Sequence, residues 1–548
     1  MMRLNFWRRA GGALAFAAVA GVAAVPGRAA TDVALKLAPS ACAGLQGMMI
    51  PASAIGLPTS GAVVQTAVQV AATDEKNVNG DFCKVTGVIK NSTASTAVFE
   101  FEVNLPSNWN GRALQMGGGG YDGSLVTGLT PFTLQPANAP TPLKQGYVTL
   151  GSNGGHKGGP GFDGTFGTDD EALINYGKQS VKKAHDVAMA IVKKAYGRAP
   201  QRFYFIGGSQ GGHEALDAAA RYPEDYDGVV AHYPAYDVTM LHFGSLNVGK
   251  ALFADGGAGW MDAAHLKLLT DAVYAKCDDL DGAKDGIISN VAGCTKAFDV
   301  KTLRCANGAA GATCLSDAQL KAVAIINSDY KPGVTIAGID TFPKWALLEG
   351  ATFSGPSNFG KKPQPSEPPT GDDPLLYNAG AATVKYIITR DPKTNPLTFD
   401  PAKWKDRVQT AGTIMDVTDV SLDKFRAKGG KIIMTHGTAD DFITPHNSME
   451  YYKRQVAQFG QSRLDGFLKF YVIPGLGHGF GIFNAKFDSL TALENWVQNG
   501  KAPAGLTATD GNPNANRSRP LCEYPKWPKF TGAAGTESAA TSYTCVAN

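Results

Sequence analysis

The fold of this chain is decided by the segment Arg202-Phe203-Tyr204-Phe205-Ile206-Gly207-Gly208-Ser209-Gln210-Gly211. Residues 202–206 are apolar and aromatic, which is typical of a buried strand. Residues 212–221 then place alanine and leucine at helical spacing. The glycines between these two segments permit a turn in which strand and helix nearly touch. The pattern predicts a serine held out between the end of a strand and the start of a helix.

This order of strand, G-x-S-x-G and helix is the nucleophile elbow of the α/β-hydrolase fold. The five letters alone are unspecific, because the chain contains 65 glycines and short motifs arise by chance. The alternative is a glycine-rich turn with a solvent-facing serine. The flanking strand and helix favour the elbow, which requires an acid and a base elsewhere in the chain.

In this fold the acid and then the histidine follow the serine, each in a loop after a strand. A predicted strand over 431–435 leads to Asp440, and another over 468–473 leads to His478. We therefore predict that His478 takes the proton from Ser209 and that Asp440 fixes the tautomer of His478. The competing residues are Asp441, His436, His213 and His185.

An oxyanion hole needs two backbone N–H groups. Gln210, which follows the nucleophile, is predicted to supply one of them. The glycine-rich loop 116–123 follows a predicted strand and is expected to supply the other, from Gly118. A flexible surface loop is the alternative, and a phosphate-binding loop is disfavoured because no G-x-x-x-x-G-K-S/T pattern follows.

Composition and charge describe a globular protein, with 44% hydrophobic and 18% charged residues. A net charge of +3 over 548 residues argues against a dedicated binder of nucleic acid or membrane surfaces. Residues 1–29 have the pattern of a signal peptide, in which early arginines precede an apolar, alanine-rich stretch and a small-residue cleavage site. An uncleaved membrane anchor is the alternative. We expect a secreted or periplasmic protein.

The cysteines suit an oxidising compartment, because their number is even and four disulfides are possible. Eight cysteines permit about a hundred pairings, so the sequence leaves the connectivity open. A metal site is disfavoured, since no C-x-x-C pair is present. Neighbour pairing would join Cys42 to Cys83, Cys277 to Cys294, Cys305 to Cys314 and Cys522 to Cys545.

Strand-like and helix-like segments alternate over about 30–245 and again after about 420, which predicts a mostly parallel sheet with helices on both faces. Residues 246–420 lack this rhythm and are predicted to be an inserted lid domain. An ordinary C-terminal half is the alternative. The predicted organisation is a signal peptide (1–29), a catalytic domain (30–245 and 421–548) and the lid (246–420).

The lid contains an acidic loop, residues 277–288, with four aspartates. Their mutual repulsion calls for a hard cation, and calcium prefers oxygen ligands. The loop fits an EF-hand poorly, because Ala292 stands where that motif needs glutamate. A solvated acidic turn is the alternative to a calcium site. The predicted ligands are the carboxylates of Asp278, Asp281 and Asp285 and the carbonyls of Ala283 and Ile287.

Besides the acidic loop, five segments carry a family pattern: 197–200, 221–228, 436–440, 474–478 and 519–525. Together these segments resemble the tannase/feruloyl esterase family of secreted α/β-hydrolases, over most of the mature chain. The resemblance implies cleavage of esters of aromatic acids such as gallate and ferulate, and a lid that carries one calcium ion. The hydrolase of mono(2-hydroxyethyl) terephthalate belongs to the same group.

Two positions depart from this family, which usually has Cys-Ser at the nucleophile and His-Cys at the base, bridged beneath the triad. Gly208 and Gly479 stand there instead. Such a bridge contributes about 2–4 kcal/mol, so the resemblance implies that packing alone holds the loop of His478. His213 and Glu214 also replace the usual Arg-Gln, which points to a different substrate pocket.

The sequence therefore predicts a secreted serine carboxylic ester hydrolase. Its expected substrates are small esters of aromatic acids of feruloyl, galloyl or terephthaloyl type, cleaved through an acyl-enzyme without nucleic-acid or membrane partners. Arg390 in the lid is a candidate anchor for a substrate carboxylate, with a plain surface arginine as the alternative. The rival hypothesis is a non-catalytic, calcium-dependent secreted binding protein on a hydrolase scaffold, and the complete triad argues against it.

Overall fold

A ten-stranded sheet organises the computed structural model, which describes residues 35–159, 162–355, 358–418 and 420–547. The predicted signal peptide lies outside the described residues. In space the strands follow the order β10-β9-β8-β7-β5-β6-β4-β3-β2-β1. In chain order they are β1 (Met49–Ile50), β2 (Ala62–Val70), β3 (Phe82–Ile89), β4 (Phe99–Pro106), β5 (Arg112–Met116), β6 (Val148–Ser152), β7 (Arg202–Gly208), β8 (Gly228–His232), β9 (Lys431–Gly437) and β10 (Leu468–Ile473).

Strands β5 to β10 run parallel to one another, and the four N-terminal strands extend the sheet antiparallel. Both faces of the sheet are covered. Along β7, Phe203 and Phe205 join one hydrophobic core, whereas Tyr204 and Ile206 join the other. Alternate side chains of a strand point to opposite faces, so a strand buried on both sides reads as a continuous apolar run. The predicted α/β-hydrolase architecture is confirmed.

Ten helices of seven residues or more surround the described part of the sheet. The helix predicted over 181–196 is found with Gly197 in the left-handed region at its end (φ 75°). Shorter helices span Pro39–Ala43, Asp170–Ile174, Asp423–Ala427 and Gln461–Leu464. The longer ones are α1 (Ser180–Tyr196), α2 (Gln210–Arg221), α3 (Val238–Gly257), α4 (Ala263–Cys277), α5 (Val291–Ala297), α6 (Asp317–Ile326), α7 (Leu375–Ala382), α8 (Lys405–Met415), α9 (Pro445–Phe459) and α10 (Ser489–Asn499).

The residues predicted as a lid are inserted between β8 and β9 and contribute helices α4 to α8. Helix α3 crosses the predicted boundary at 245/246. It packs against α7, where Gly249 faces the ring of Tyr377 so closely that a Cβ at Gly249 would lie 2.6 Å from it. The insertion therefore leaves the sheet through helix α3, whose backbone departs from helical geometry at 254–256.

Short strand pairs and disulfides secure the periphery of the described chain. Leu35–Lys36 pairs with Asn108–Trp109, and Trp527–Phe530 pairs with Tyr543–Val546. Ala485–Lys486, Thr507–Asp510 and Ser518–Pro520 form a small third sheet. In its described part the structure has no helix long and apolar enough to cross a membrane. The bridges follow neighbour pairing: Cys42–Cys83, Cys277–Cys294, Cys305–Cys314 and Cys522–Cys545.

Candidate active site

Ser209 stands in the turn between β7 and α2 with φ 61° and ψ −122°. A positive φ is costly for serine and is tolerated where the surroundings impose it. Here its N–H donates to His232 O at 3.0 Å. A Cβ placed on Gly211 would lie 2.9 Å from the carbonyl carbon of Gly117. Glycine is therefore required at 211 by the close approach of the turn to the neighbouring loop.

Asp440 and His478 are brought together by the loops after β9 and β10. His478 Nδ1 lies 3.0 Å from Asp440 Oδ2. Asp440 is fully buried, and its Oδ1 accepts the N–H groups of Phe442 at 2.9 Å and Ile443 at 2.8 Å. Burial alone would raise the pKa of this carboxyl. The charge of His478 and the hydrogen bonds from His436 and His478 outweigh burial, so the pKa lies well below its usual range.

All three predicted triad residues lie at one edge of the sheet, because the carboxyl ends of parallel strands meet there. Ser209 follows β7, Asp440 follows β9 and His478 follows β10. Strand β8 lies between β7 and β9, and the residue that follows it is Tyr233. The ring of Tyr233 lies 4.7 Å from the imidazole of His478, and the ring of Phe442 lies 5.1 Å from it.

The competing histidines occupy other positions. His436 is buried, with Nδ1 2.7 Å from Ser448 Oγ and Nε2 2.8 Å from Ile443 O. Its Nε2 also lies 3.3 Å from Asp440 Oδ2, so His436 supports the predicted acid. His213 faces two carbonyl oxygens, and burial lowers its pKa to about 4. His185 bonds Asp186. Asp441 is buried beside Asp440, but the described bond to His478 comes from Asp440.

The predicted oxyanion hole is corrected at one position. Gln210 is the first residue of α2, where an N–H group has no acceptor within its own helix. The N–H of Gly118, in contrast, donates to Glu214 Oε2 at 2.9 Å, so it is not free for an oxyanion. The reason is tertiary: Glu214 turns from α2 toward the loop and its buried carboxyl requires a donor.

A carboxyl pair beneath the loop, Glu214 and Asp122, was not predicted from the sequence. Burial raises the pKa of Glu214 well above its usual range, and the neighbouring charge of Asp122 raises it further. Burial also raises the pKa of Asp122, to about 7. The two residues lie far apart in the sequence, so no local pattern indicates that they meet.

An aromatic wall continues from His478 into the lid. Phe442 contacts Phe162 with ring centroids 5.4 Å apart, and Phe162 contacts Tyr121 at 5.2 Å. The Tyr121 hydroxyl lies 2.6 Å from Thr383 Oγ1 in the lid. Beyond Phe162 opens a cavity of about 560 Å³ that is lined on the lid side by Leu375, Lys385 and Tyr386, among others.

Arg390, the candidate carboxylate anchor, forms an ion pair with Asp170. The Asp170 carboxylate is 75% exposed, so this pair lies at the surface. Arg390 is also not among the residues that line the cavity beyond Phe162. The structure therefore favours the plain surface arginine.

The acidic loop of the lid is closed by Cys277–Cys294. Asp281 is buried and accepts the N–H groups of Ala283 at 3.0 Å and Ser289 at 2.9 Å. Asp285 forms an ion pair with the buried Arg519. Asp278 accepts the N–H of Gly286 at 2.8 Å, and Asp285 accepts the N–H of Ile287 at 2.9 Å.

Among the described residues, three potential metal-ligand atoms lie within 4.8 Å of one another at His185, Asp186 and Asp225. Lys182 Nζ already lies 2.7 Å from Asp186 and 3.0 Å from Asp225. Because Lys182 already forms ion pairs with both carboxylates, this cluster is an ion-pair network rather than a metal site.

A serine elbow with an Asp–His pair after two later strands, on a doubly covered parallel sheet, defines an α/β-hydrolase. A family profile described as "Tannase and feruloyl esterase" matches residues 83–546, and the chain belongs to this family. It is accordingly a carboxylic ester hydrolase. No comparison supports a non-catalytic binding protein.

Three similar proteins illustrate this placement. The chain is 37% identical to an uncharacterized esterase of Agrobacterium fabrum, with 92% of each chain covered. It is 30% identical to the mono(2-hydroxyethyl) terephthalate hydrolase of Piscinibacter sakaiensis, with 85% of each covered. The crystal structure of feruloyl esterase B from Aspergillus oryzae shares the fold, with a TM-score of 0.73 at 22% identity, over 92% of this chain and 99% of that chain.

Proposed function

We propose that the protein is a secreted serine esterase for esters of aromatic acids, and that Ser209, His478 and Asp440 are its catalytic triad. The observation that carries the proposal is the 3.0 Å bond between His478 and a fully buried Asp440. Two backbone amides fix the other oxygen of Asp440, so the carboxylate is oriented before substrate binds.

The chemistry follows from these positions. Ser209 Oγ attacks the ester carbonyl and His478 Nε2 takes the hydroxyl proton. His478 then returns this proton to the leaving alcohol, and water hydrolyses the acyl-enzyme by the same route in reverse. Asp440 keeps the Nδ1–H tautomer of His478 and stabilises the imidazolium. The N–H of Gln210 donates to the oxygen that gains charge in the transition state.

The aromatic wall supports an aromatic acyl group. Phe442 lies beside His478, and Phe162 packs on Phe442 and lines the lid cavity. Aromatic rings prefer edge-to-face or offset contacts with other rings, so a benzoyl or cinnamoyl group is favoured over a short alkyl group there. The names of relatives agree, since they include feruloyl esterases and a terephthalate monoester hydrolase.

The acidic loop is proposed to hold calcium. Asp278, Asp281 and Asp285, with the carbonyls of Ala283 and Ile287, offer an all-oxygen donor set of the kind that calcium prefers. Gly282 and Gly286 have positive φ values of 97° and 79°, which bend the loop back on itself. Bound calcium would neutralise the aspartates and fix the lid segment between α4 and α5. The leader pattern of residues 1–29 and four disulfides support export to the periplasm or medium.

Turnover by Ser209→Ala tests the serine mechanism. The assay uses methyl ferulate, methyl gallate and mono(2-hydroxyethyl) terephthalate, with methyl acetate as the non-aromatic reference. We expect kcat to fall by about 10⁴-fold or more, as for other triad deletions. Ser328→Ala, at an exposed lid serine, is the control and should retain turnover. Undiminished turnover in Ser209→Ala would rule out the proposed nucleophile.

A further inference from the structure

The ring of Tyr233 fills the space between the residues that flank the proposed nucleophile and base. A Cβ placed on Gly208 would lie 2.8 Å from both Cζ and Oη of Tyr233. A Cβ placed on Gly479 would lie 2.7 Å from the same Oη. Real Cβ atoms do not approach other atoms this closely, so one phenol occupies the side-chain space of both glycines.

Tyr233 itself is held firmly in place. Its side chain is 6% exposed. Its N–H donates to Thr435 O on β9 at 2.6 Å, which anchors the residue between the strands that precede Ser209 and Asp440. Its φ is 34°, an unfavourable value for a residue with a side chain. Such values persist where the surroundings impose them and are concentrated at functional sites.

The ring also faces the base directly. Its centroid lies 4.7 Å from the imidazole of His478 at an interplanar angle of 52°, and Phe442 lies 5.1 Å from the same imidazole. Two aromatic rings therefore contact His478. Tyr233 is the one that also contacts the backbone beside Ser209.

We infer that Tyr233 is a positioning residue whose ring holds the loops of Ser209 and His478 at a fixed separation. The inference rests on the proposed triad. Tyr233 exchanges no proton in this role and acts through the imidazole on which it packs. Its contribution is to keep His478 Nε2 in line with Ser209 Oγ, and small errors in that alignment cost rate rather than binding.

The first experiment compares Tyr233→Ala, Tyr233→Phe and the control Tyr451→Ala, a buried tyrosine that packs on Tyr236. Active sites are counted by the p-nitrophenol released when a p-nitrophenyl phosphonate esterifies Ser209. We expect Tyr233→Ala to lose about 10- to 100-fold in kcat per active site, with KM changed less than about threefold. Tyr233→Phe and Tyr451→Ala should stay within about threefold of the parent.

The outcomes separate the two proposals. Failure of the phosphonate to label the parent protein at Ser209 would contradict the serine mechanism itself. Normal labelling with an unchanged kcat per active site in Tyr233→Ala, alongside a melting temperature lowered as in Tyr451→Ala, would overturn the positioning role alone.

A second experiment covers the case in which Tyr233→Ala does not fold. Gly479→Ala is compared in the parent and in Tyr233→Phe. The backbone strain of alanine at φ 82° is the same in both backgrounds, but removal of Oη leaves Cζ at 3.5 Å from the new methyl group. We expect Gly479→Ala to cost about tenfold more in kcat with Tyr233 than with phenylalanine, because contacting residues couple. Equal losses in both backgrounds would overturn the inference.

Discussion

Glu214 accepts the N–H of Gly118 at 2.9 Å, which ties the helix that follows Ser209 to the glycine-rich loop beside it. Asp122 lies against the same carboxyl, and a Cβ at Gly118 would lie 2.6 Å from Asp122 Oδ1. Two carboxyls in this confined space cannot both be charged without strong repulsion. One of the two carboxyls must therefore keep its proton while Glu214 supports the loop through Gly118.

Replacement of Glu214 by glutamine should remove the need for a proton on this carboxyl pair. The pKa values of both carboxyls are raised in the folded state, that of Asp122 to about 7. A raised pKa gives stability that is present at low pH and is lost as the pH rises through that value. We expect Glu214→Gln to melt about 2–4 °C above the parent at pH 9, with a smaller difference at pH 5, in thermal melts followed by circular dichroism.

Glu171→Gln is the matched control for this prediction. Burial would raise the pKa of Glu171, but hydrogen bonds from Thr93 and Ser92 outweigh it and lower the pKa. Glu171→Gln should therefore lower the melting temperature at pH 7 and above. The same pH dependence in Glu214→Gln and the parent would contradict a shared proton.

Asp440→Asn should inactivate the enzyme while it stays folded. The amide preserves the shape of the side chain but no longer stabilises the imidazolium or the required tautomer of His478. We expect kcat to fall by about 10⁴-fold and binding of an aromatic acid product, measured by calorimetry, to be retained. Asp441→Asn tests the neighbouring competitor and should keep most activity. If only Asp441→Asn lost activity, Asp441 rather than Asp440 would be the acid of the triad.

Phe162→Ala tests the aromatic wall. Phe162 contacts Phe442 and also lines the lid cavity, so removal of its ring interrupts the aromatic wall between them. We expect KM for methyl ferulate to rise about tenfold, since an aromatic contact with its buried area is worth about 1–2 kcal/mol. Turnover of methyl acetate should change little. Trp404→Ala, which removes a 40% exposed ring of the lid, is the control. Equal losses on both substrates would show that Phe162 does not select the acyl group.

Glu349→Gln should lower the free energy of unfolding at neutral pH and change it little in acid. Burial would raise the pKa of Glu349, but His446 and Lys344 outweigh it and lower the pKa to about 2. A depressed pKa gives stability that is present above the ordinary value and is lost as the pH falls toward the folded value. We expect a loss of about 2–3 kcal/mol at pH 7 and little difference from the parent near pH 2, by denaturant unfolding.

The control for Glu349 is an exposed ion pair in the same lid, Arg304–Asp317. Exposed pairs contribute little to stability, so Asp317→Asn should leave the unfolding midpoint unchanged. A loss in Glu349→Gln that is as large near pH 2 as at pH 7 would contradict the assignment.

Removal of calcium should loosen the lid. We expect a chelator to lower the melting temperature by about 5 °C or more, because a ligand that binds only the folded state stabilises it by mass action. Metal analysis after dialysis should find one calcium ion per chain. Asp281→Asn should abolish both effects, and Asp299→Asn, at an exposed helix cap, should abolish neither. Chelator-resistant melting in protein shown to be free of metal would contradict the proposed site.

Local pattern and chain order were enough to predict the sheet, the elbow and the Asp440–His478 pair. The reason is that each predicted residue follows a strand of the same parallel sheet, so one rule places them all. The same rule, applied to β8, points to Tyr233 as well. The prediction for Gly118 was wrong because Glu214 reaches its N–H across 96 residues. The Asp285–Arg519 pair joins residues that are 234 apart, which no local pattern reveals.

The contact of Tyr233 with Gly208 and Gly479 has a consequence for redox behaviour. All eight cysteines lie in bridges that tie the outer strands, the lid or the C-terminal hairpin. Between Ser209 and His478 the contact is made by a phenol, which thiol reagents do not cleave. We therefore expect a reductant to loosen this protein from its edges inward, and the surroundings of Ser209 and His478 to be the last part whose geometry depends on the bridges.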